Sequence, residues 1–181
     1  MESISSKEQE RNSAIKKKIG FVVNPIGEMG GRVGLKGTDG SEVLNRARKL
    51  GAGPVAQRRA IETLTLISEV KGQIDLLTCS GEMGEDEAKR CGITPTVIES
   101  IVSGKTTSEN TKAAARKMPM FGTVLLIFAG GDGTARDVYE ATEGEIPVLG
   151  IPAGVKIRAR SRRFAARALS LAEEVNNSVL E

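Results

Sequence analysis

Thr123-Val124-Leu125-Leu126-Ile127-Phe128-Ala129-Gly130-Gly131-Asp132-Gly133-Thr134-Ala135-Arg136-Asp137-Val138-Tyr139-Glu140-Ala141 is the stretch that decides the fold. Thr123 to Ala129 is a continuous apolar run of strand length, and Ala135 to Ala141 reads as a helix. Between them lies a glycine turn. Strand, glycine turn, helix is the arrangement in which backbone N–H groups and a helix N-terminus cradle phosphate. The glycines let the backbone come close to a ligand. Asp132 is the odd member, because a carboxylate repels phosphate unless it binds Mg²⁺ or accepts a proton from an attacking hydroxyl. Both roles belong to phosphoryl transfer. The plainer alternative is a tight βα turn in which Asp132 caps the helix.

Working outward, strands and helices alternate. Ile19-Gly20-Phe21-Val22-Val23 is a buried-type strand that stops at Asn24-Pro25. A long loop follows, with Gly27, Gly30, Gly31, Gly34, Gly37 and Gly40; loops of this kind are usually functional or mobile. Pro54 suits the first turn of a helix, in which Ala60, Ile61, Leu64, Ile67 and Ser68 recur at helical spacing. Ile74 to Cys79 is a second strand. Met83 to Arg90 is a short helix closing at Gly92, and Thr96-Val97-Ile98 is a third strand. A helix opens at Thr107-Ser108 and runs through about Lys117, with one of those two residues as its cap. Ile146 to Pro152 is the fifth strand, and Ala153-Gly154 follows it. The pattern predicts an α/β fold: a Rossmann-like, mostly parallel sheet with helices on both faces. Ligands of such sheets bind beyond the carboxyl ends of the strands. The glycine segments all lie just after strands, so the fold should gather them at one edge.

The 181 residues fit a single nucleotide-binding α/β domain over 18–156, with a flexible, polar leader over 1–17 and a basic helix over 157–181. No apolar run approaches membrane-spanning length, and the first residues lack the apolar core of a signal peptide. A cytoplasmic protein without a membrane partner is expected. Cys79 and Cys91 match no metal or redox spacing. The chain has no histidine, which removes Ser-His-Asp hydrolysis and the common zinc sites. Any general base must be Asp, Glu, Lys or Tyr. The net charge of +3 is local: setting Lys156, Arg158, Arg160, Arg162, Arg163 and Arg167 apart from the 26 basic residues leaves 20 against 23 acidic ones. Only 3% of the residues are aromatic, which argues against a base-stacking surface and hence against a nucleic-acid partner.

Three segments together carry a resemblance: Asn24-Pro25-x-x-x-Met29-Gly30-Gly31, Gly130-Gly131-Asp132-Gly133-Thr134, and Gly150-Ile151-Pro152-Ala153-Gly154. With them the chain resembles the superfamily of NAD kinases, diacylglycerol kinases and sphingosine kinases, and within it the microbial ATP-NAD kinase-like group. The resemblance covers roughly Ile19 to Lys156. It implies transfer of phosphate from ATP, or polyphosphate, to the ribose 2′-hydroxyl of NAD to give NADP, with Mg²⁺. It also implies that Asp132 orients or deprotonates that hydroxyl. Gly130, Gly131, Gly133 and Thr134 would then form the phosphate turn, with Asn24, Gly30 and Gly31 as the early loop and Gly154 as the third. The chemistry is consistent, since phosphoryl transfer needs positioning and charge neutralisation more than a covalent nucleophile.

Several residues keep two readings. Arg32 and Lys36 can hold phosphates or be solvated loop charges. Thr107, Ser108 and Thr111 match a nucleotide-side segment of the family, or simply begin a helix. Asp137 can assist Asp132, or only complement the helix dipole. Asp39 reads as a turn residue and Tyr139 as packing on its helix. Relatives continue past the Gly-Val-Lys segment into a β-rich second domain, whereas here the basic segment 157–181 follows. Two classes of function therefore stay open: a minimal kinase completed by self-association as a homo-oligomer, and a non-catalytic nucleotide-binding module or truncated accessory protein.

Overall fold

A computed structural model of the protein describes residues 16–35, 41–102, 104–153 and 170. Five parallel strands form one sheet: β1 (Lys17–Val23), β2 (Ile74–Cys79), β3 (Thr96–Glu99), β4 (Leu125–Gly130) and β5 (Val148–Pro152). Their order across the sheet is β3-β2-β1-β4-β5. The described helices of α type are α1 (Ser41–Lys49), α2 (Val55–Ile67), α3 (Glu85–Arg90), α4 (Ser108–Lys117) and α5 (Asp132–Thr142). The predicted class, a Rossmann-like parallel sheet with helices on both faces, is the one observed.

The strand sequences explain the layering. Successive side chains of a strand point to opposite faces. Ile19, Phe21 and Val23 of β1, with Leu125, Ile127 and Ala129 of β4, face one cluster, which Ala56, Ala60, Leu64 and Ile67 of α2 complete. Val22, Leu126 and Phe128 face the other, with Ala114 and Ala115 of α4 and Val138 of α5. β4 is buried along its whole length, as a central parallel strand must be when helices cover both faces. Burying a side chain such as Phe21 or Ile127 is worth roughly 1.5–3 kcal/mol, so the continuous apolar runs of β1 and β4 place these two strands at the sheet centre. β3 and β5 lie at the edges and are only partly buried.

β1 pairs with β2 on one side and with β4 on the other. The chain thus adds strands outward from β1 in one direction and then, from β4, in the other. Side by side, β1 and β4 form the switch point at which the loops diverge and leave a crevice.

Two local readings change. The helix after Gly131 begins at Asp132 rather than Ala135, because the amide of Ala135 already donates to the carbonyl of Gly131 at 2.9 Å. The i→i+4 ladder therefore includes the glycine motif itself. The second change is α1, which sequence reasoning passed over. It carries an apolar stripe, with Val43 and Leu44 half-buried and Ala47 buried. Glu42 at its start and Arg46, Arg48 and Lys49 at its end complement the helix dipole.

Candidate active site at the strand switch point

The carboxyl ends of β1, β4 and β5 are stitched together by their backbones. The amide of Asn24 donates to the carbonyl of Ala129 at 2.9 Å, and the amide of Ala153 donates to the carbonyl of Gly130 at 2.9 Å. The three glycine segments predicted to share an edge therefore begin side by side. Gly154, the predicted member of the third, lies outside the described residues, as do Lys36, Asp39 and the side chain of Arg32. The leader through residue 15 and the basic residues from Lys156 to Arg167 lie outside them as well.

Asn24 locks the first turn to the second. Its side-chain amide donates to the Thr134 hydroxyl at 2.9 Å across a buried gap. Its carbonyl oxygen accepts the amide of Ile26 at 3.2 Å, which bends the chain after Pro25 as an Asx turn. Both predicted nucleotide-side residues are thus buried and spent on each other. They position the turn, while its backbone and Asp132 remain open to the edge.

The turn itself is shaped by close approach. A Cβ on Gly130 would stand 2.5 Å from the Cβ of Thr134, so glycine is required there for the turn to fold over that threonine. Gly131 occupies the N-cap of α5, Asp132 is its first residue, and Gly133 is exposed. The amides at the start of this helix precede its first intrahelical donor and carry the positive end of its dipole. Asp132 is exposed, and no hydrogen bond or ion pair engages its carboxylate among the described residues. Capping, the plainer reading of Asp132, is overturned: the cap position belongs to Gly131, one residue earlier.

Glu28 is the residue that sequence reasoning passed over. Its backbone φ is 62°, a left-handed conformation that disfavours side chains. A Cβ on Gly131 would lie 2.6 Å from Glu28 Cγ and Cδ, and one on Gly31 would lie 3.1 Å from Glu28 Oε2. The carboxylate therefore rests between Gly31 of the first turn and Gly131 of the second. An acid inside a glycine run, Gly27-Glu28-Met29-Gly30-Gly31, is the same signal that singled out Asp132. Gly30 and Gly31 open a short 3-10 turn, Gly31–Val33.

Of the remaining residues with two readings, Thr107 and Asp137 have structural partners. The amide and hydroxyl of Thr107 both donate to Asn110 Oδ1, at 2.8 and 2.9 Å, which starts α4. Thr111 is fully buried. Its hydroxyl has no partner among the described residues. Asp137 pairs with Lys112 at 3.3 Å, tying α5 to α4, and its hydrogen bond holds the Lys112 ammonium above the usual lysine range. Tyr139, expected to pack on its helix, is instead 73% exposed; it follows the buried Val138 and so points outward. Beyond the switch point, the loop leading into α4 is tied down by Glu82, whose Oε1 accepts the Gly104 amide at 2.9 Å and the Thr106 hydroxyl at 3.1 Å. Burial pushes the Cys79 thiol up to about 12, so it is no nucleophile.

Against known proteins, a family model described as ATP-NAD kinase N-terminal domain matches residues 19–173. The chain belongs to that family. The match spans β1, both glycine turns and β5, so the resemblance carried by the three segments holds. No curated protein and no solved structure matches the chain. Among the described residues, no helix is long and apolar enough to cross a membrane.

Proposed function

We propose that this family member binds a nucleotide at the β1–β4 crevice and transfers phosphate from ATP, or from polyphosphate, to the ribose 2′-hydroxyl of NAD, giving NADP. The observation that carries the reading is Asp132. It is an exposed carboxylate at the start of α5, without a structural partner among the described residues, on a turn hydrogen-bonded to the chain after β1 and after β5. The helix dipole favours a carboxylate there, and with both oxygens unengaged among the described residues it is available to accept a proton from a bound hydroxyl. In this reading the amides of Gly131, Gly133 and Thr134 bind phosphate oxygens. Asn24 and Thr134 hold the turn in place through their mutual hydrogen bond, Gly30 and Gly31 let the first loop approach, and Gly154 belongs to the third segment.

Asp132 orients the 2′-hydroxyl and accepts its proton as the oxygen attacks the terminal phosphorus and the bond to the leaving ADP, or to the shortened polyphosphate, breaks. A hard carboxylate oxygen also fits Mg²⁺, which when bound neutralises phosphate charge. The Asp132 carboxylate is the group that would hold it. The rest of the catalysis is positioning by backbone donors that are already ordered.

The test incubates purified protein with ATP, Mg²⁺ and NAD, and separately with polyphosphate, and measures NADP. NADP formed in either arm and lost in Asp132→Asn supports the reading. A second reading, a nucleotide-binding module without catalysis, is favoured by Glu28, whose carboxylate lies where the first reading puts phosphate. Nucleotide binding without NADP in either arm would select it.

A further inference from the structure

Glu28 combines three observations. Its backbone is left-handed at φ 62° although it is not glycine. Its carboxylate lies between Gly31 and Gly131, the second of which leaves room for it by having no Cβ. It is half-buried, and no hydrogen bond or ion pair holds it among the described residues. The other described non-glycine residue with positive φ, Glu143 at 50°, ends α5 in the left-handed cap position that helices commonly use. Glu28 ends no helix. Its strained backbone instead turns an acid onto the N-cap glycine of α5, where the helix dipole favours negative charge.

We propose that Glu28 is a built-in anion plug. Its carboxylate holds the phosphate position over Gly131, and a phosphorylated nucleotide enters only by displacing it. The proposal rests on the reading that this crevice binds nucleotide phosphates. Two anions cannot share one cradle of amides without repulsion. Phosphate therefore competes with an intramolecular carboxylate that is always present at high effective concentration. The measured affinity is then the intrinsic affinity reduced by the fraction of molecules with Glu28 swung out. Displacement is feasible because the obstructing atoms are the far end of a flexible side chain rather than backbone.

The plug also sets what the site accepts. A single phosphate gains only the amides that Glu28 uncovers as it swings out. A nucleoside diphosphate brings a second charged group and a base, whose extra contacts offset the displacement. Inorganic phosphate should therefore bind the natural protein far more weakly than ADP does, and plug removal should help phosphate at least as much as ADP.

The experiment titrates ADP and inorganic phosphate into the natural protein, Glu28→Gln and Glu28→Gly by calorimetry. Glu28→Gln keeps the bulk and removes the charge; Glu28→Gly removes both and suits the left-handed backbone, so it should melt no lower than the natural protein. The expected result is ADP binding about tenfold tighter in Glu28→Gly, the scale on which a mostly closed site opens, with Glu28→Gln shifted in the same direction. ADP affinity unchanged in both variants would overturn the plug and leave the nucleotide site standing. Weaker ADP binding in both would also overturn it, making Glu28 a ligand contact. No binding by any of the three proteins would overturn the plug together with the nucleotide site beneath it.

Discussion

The turn after β1 and the turn after β4 are built from the same materials and hold their acids in opposite ways. Each is a glycine run with one carboxylate in it, placed at the carboxyl end of a central strand. After β4, Asp132 sits in ordinary helical backbone and projects to the edge without a partner among the described residues. After β1, Glu28 sits in left-handed backbone and folds inward over its neighbour's glycine. The difference teaches that an acid in a glycine turn acquires its role from backbone conformation. Helical φ at the first residue of α5 leaves a carboxylate free for chemistry. Positive φ in the first loop directs one into the cradle that the other turn provides.

The largest expected effect separates the two acids in function. Asp132→Asn should lower NADP formation by roughly two to four orders of magnitude, the scale for losing a general base, while ADP affinity stays near that of the natural protein. Steady-state kinetics with ADP titration checks both halves, and near-normal turnover would strip Asp132 of its role.

Next come the glycines on which the acids rest. In Gly130→Ala the new methyl meets Thr134, which is buried and held by Asn24, and overpacking of that kind costs typically 1–3 kcal/mol. In Gly131→Ala it meets only the end of the Glu28 side chain, which can move away. Urea unfolding should rank Gly130→Ala clearly below Gly131→Ala in stability. Equal losses would mean that Glu28 is as firmly fixed as Thr134.

A smaller effect tests what joins the turns. Asn24→Ala leaves the Thr134 hydroxyl buried without its partner, at a cost of about 1–3 kcal/mol. Thr134→Val should likewise destabilise, and the double variant should lose less than the two single losses together. Strict additivity in a thermal or denaturant series would show that the bond does not couple the two turns. The smallest effect is a gain. A Cβ on Gly133 meets nothing within 4 Å, so Gly133→Ala should raise stability by up to about 1 kcal/mol through helix propensity. A loss there would indicate that the start of α5 needs glycine for a reason other than space.

Much of this was legible in the chain. The apolar runs at Ile19–Val23, Ile74–Cys79 and Thr123–Ala129 report burial directly, because a parallel strand covered on both faces has no polar side to show. The strands they predicted appear within two residues of their expected starts. The glycine turns were equally plain, since Gly-Gly-Asp-Gly follows such a run directly. Helix α1 was passed over although Val43, Leu44 and Ala47 recur at helical spacing; the glycine run before it drew attention to the loop instead. The outward turn of Tyr139 was missed because one residue of helical phase decides between core and solvent.

By itself, then, the sequence determined the fold class, the family and the candidacy of Asp132. Each follows from local composition: runs of apolar residues, glycines beside them, and an acid among the glycines. Only the tertiary structure decided that Asn24 and Thr134 bind each other across 110 residues of chain, that the start of α5 takes in the glycine motif, and that Glu28 covers Gly131. The physical reason is range. Burial pattern and turn chemistry are properties of neighbours along the chain, whereas the partner of a side chain is set by which distant segments the sheet brings within a few ångströms.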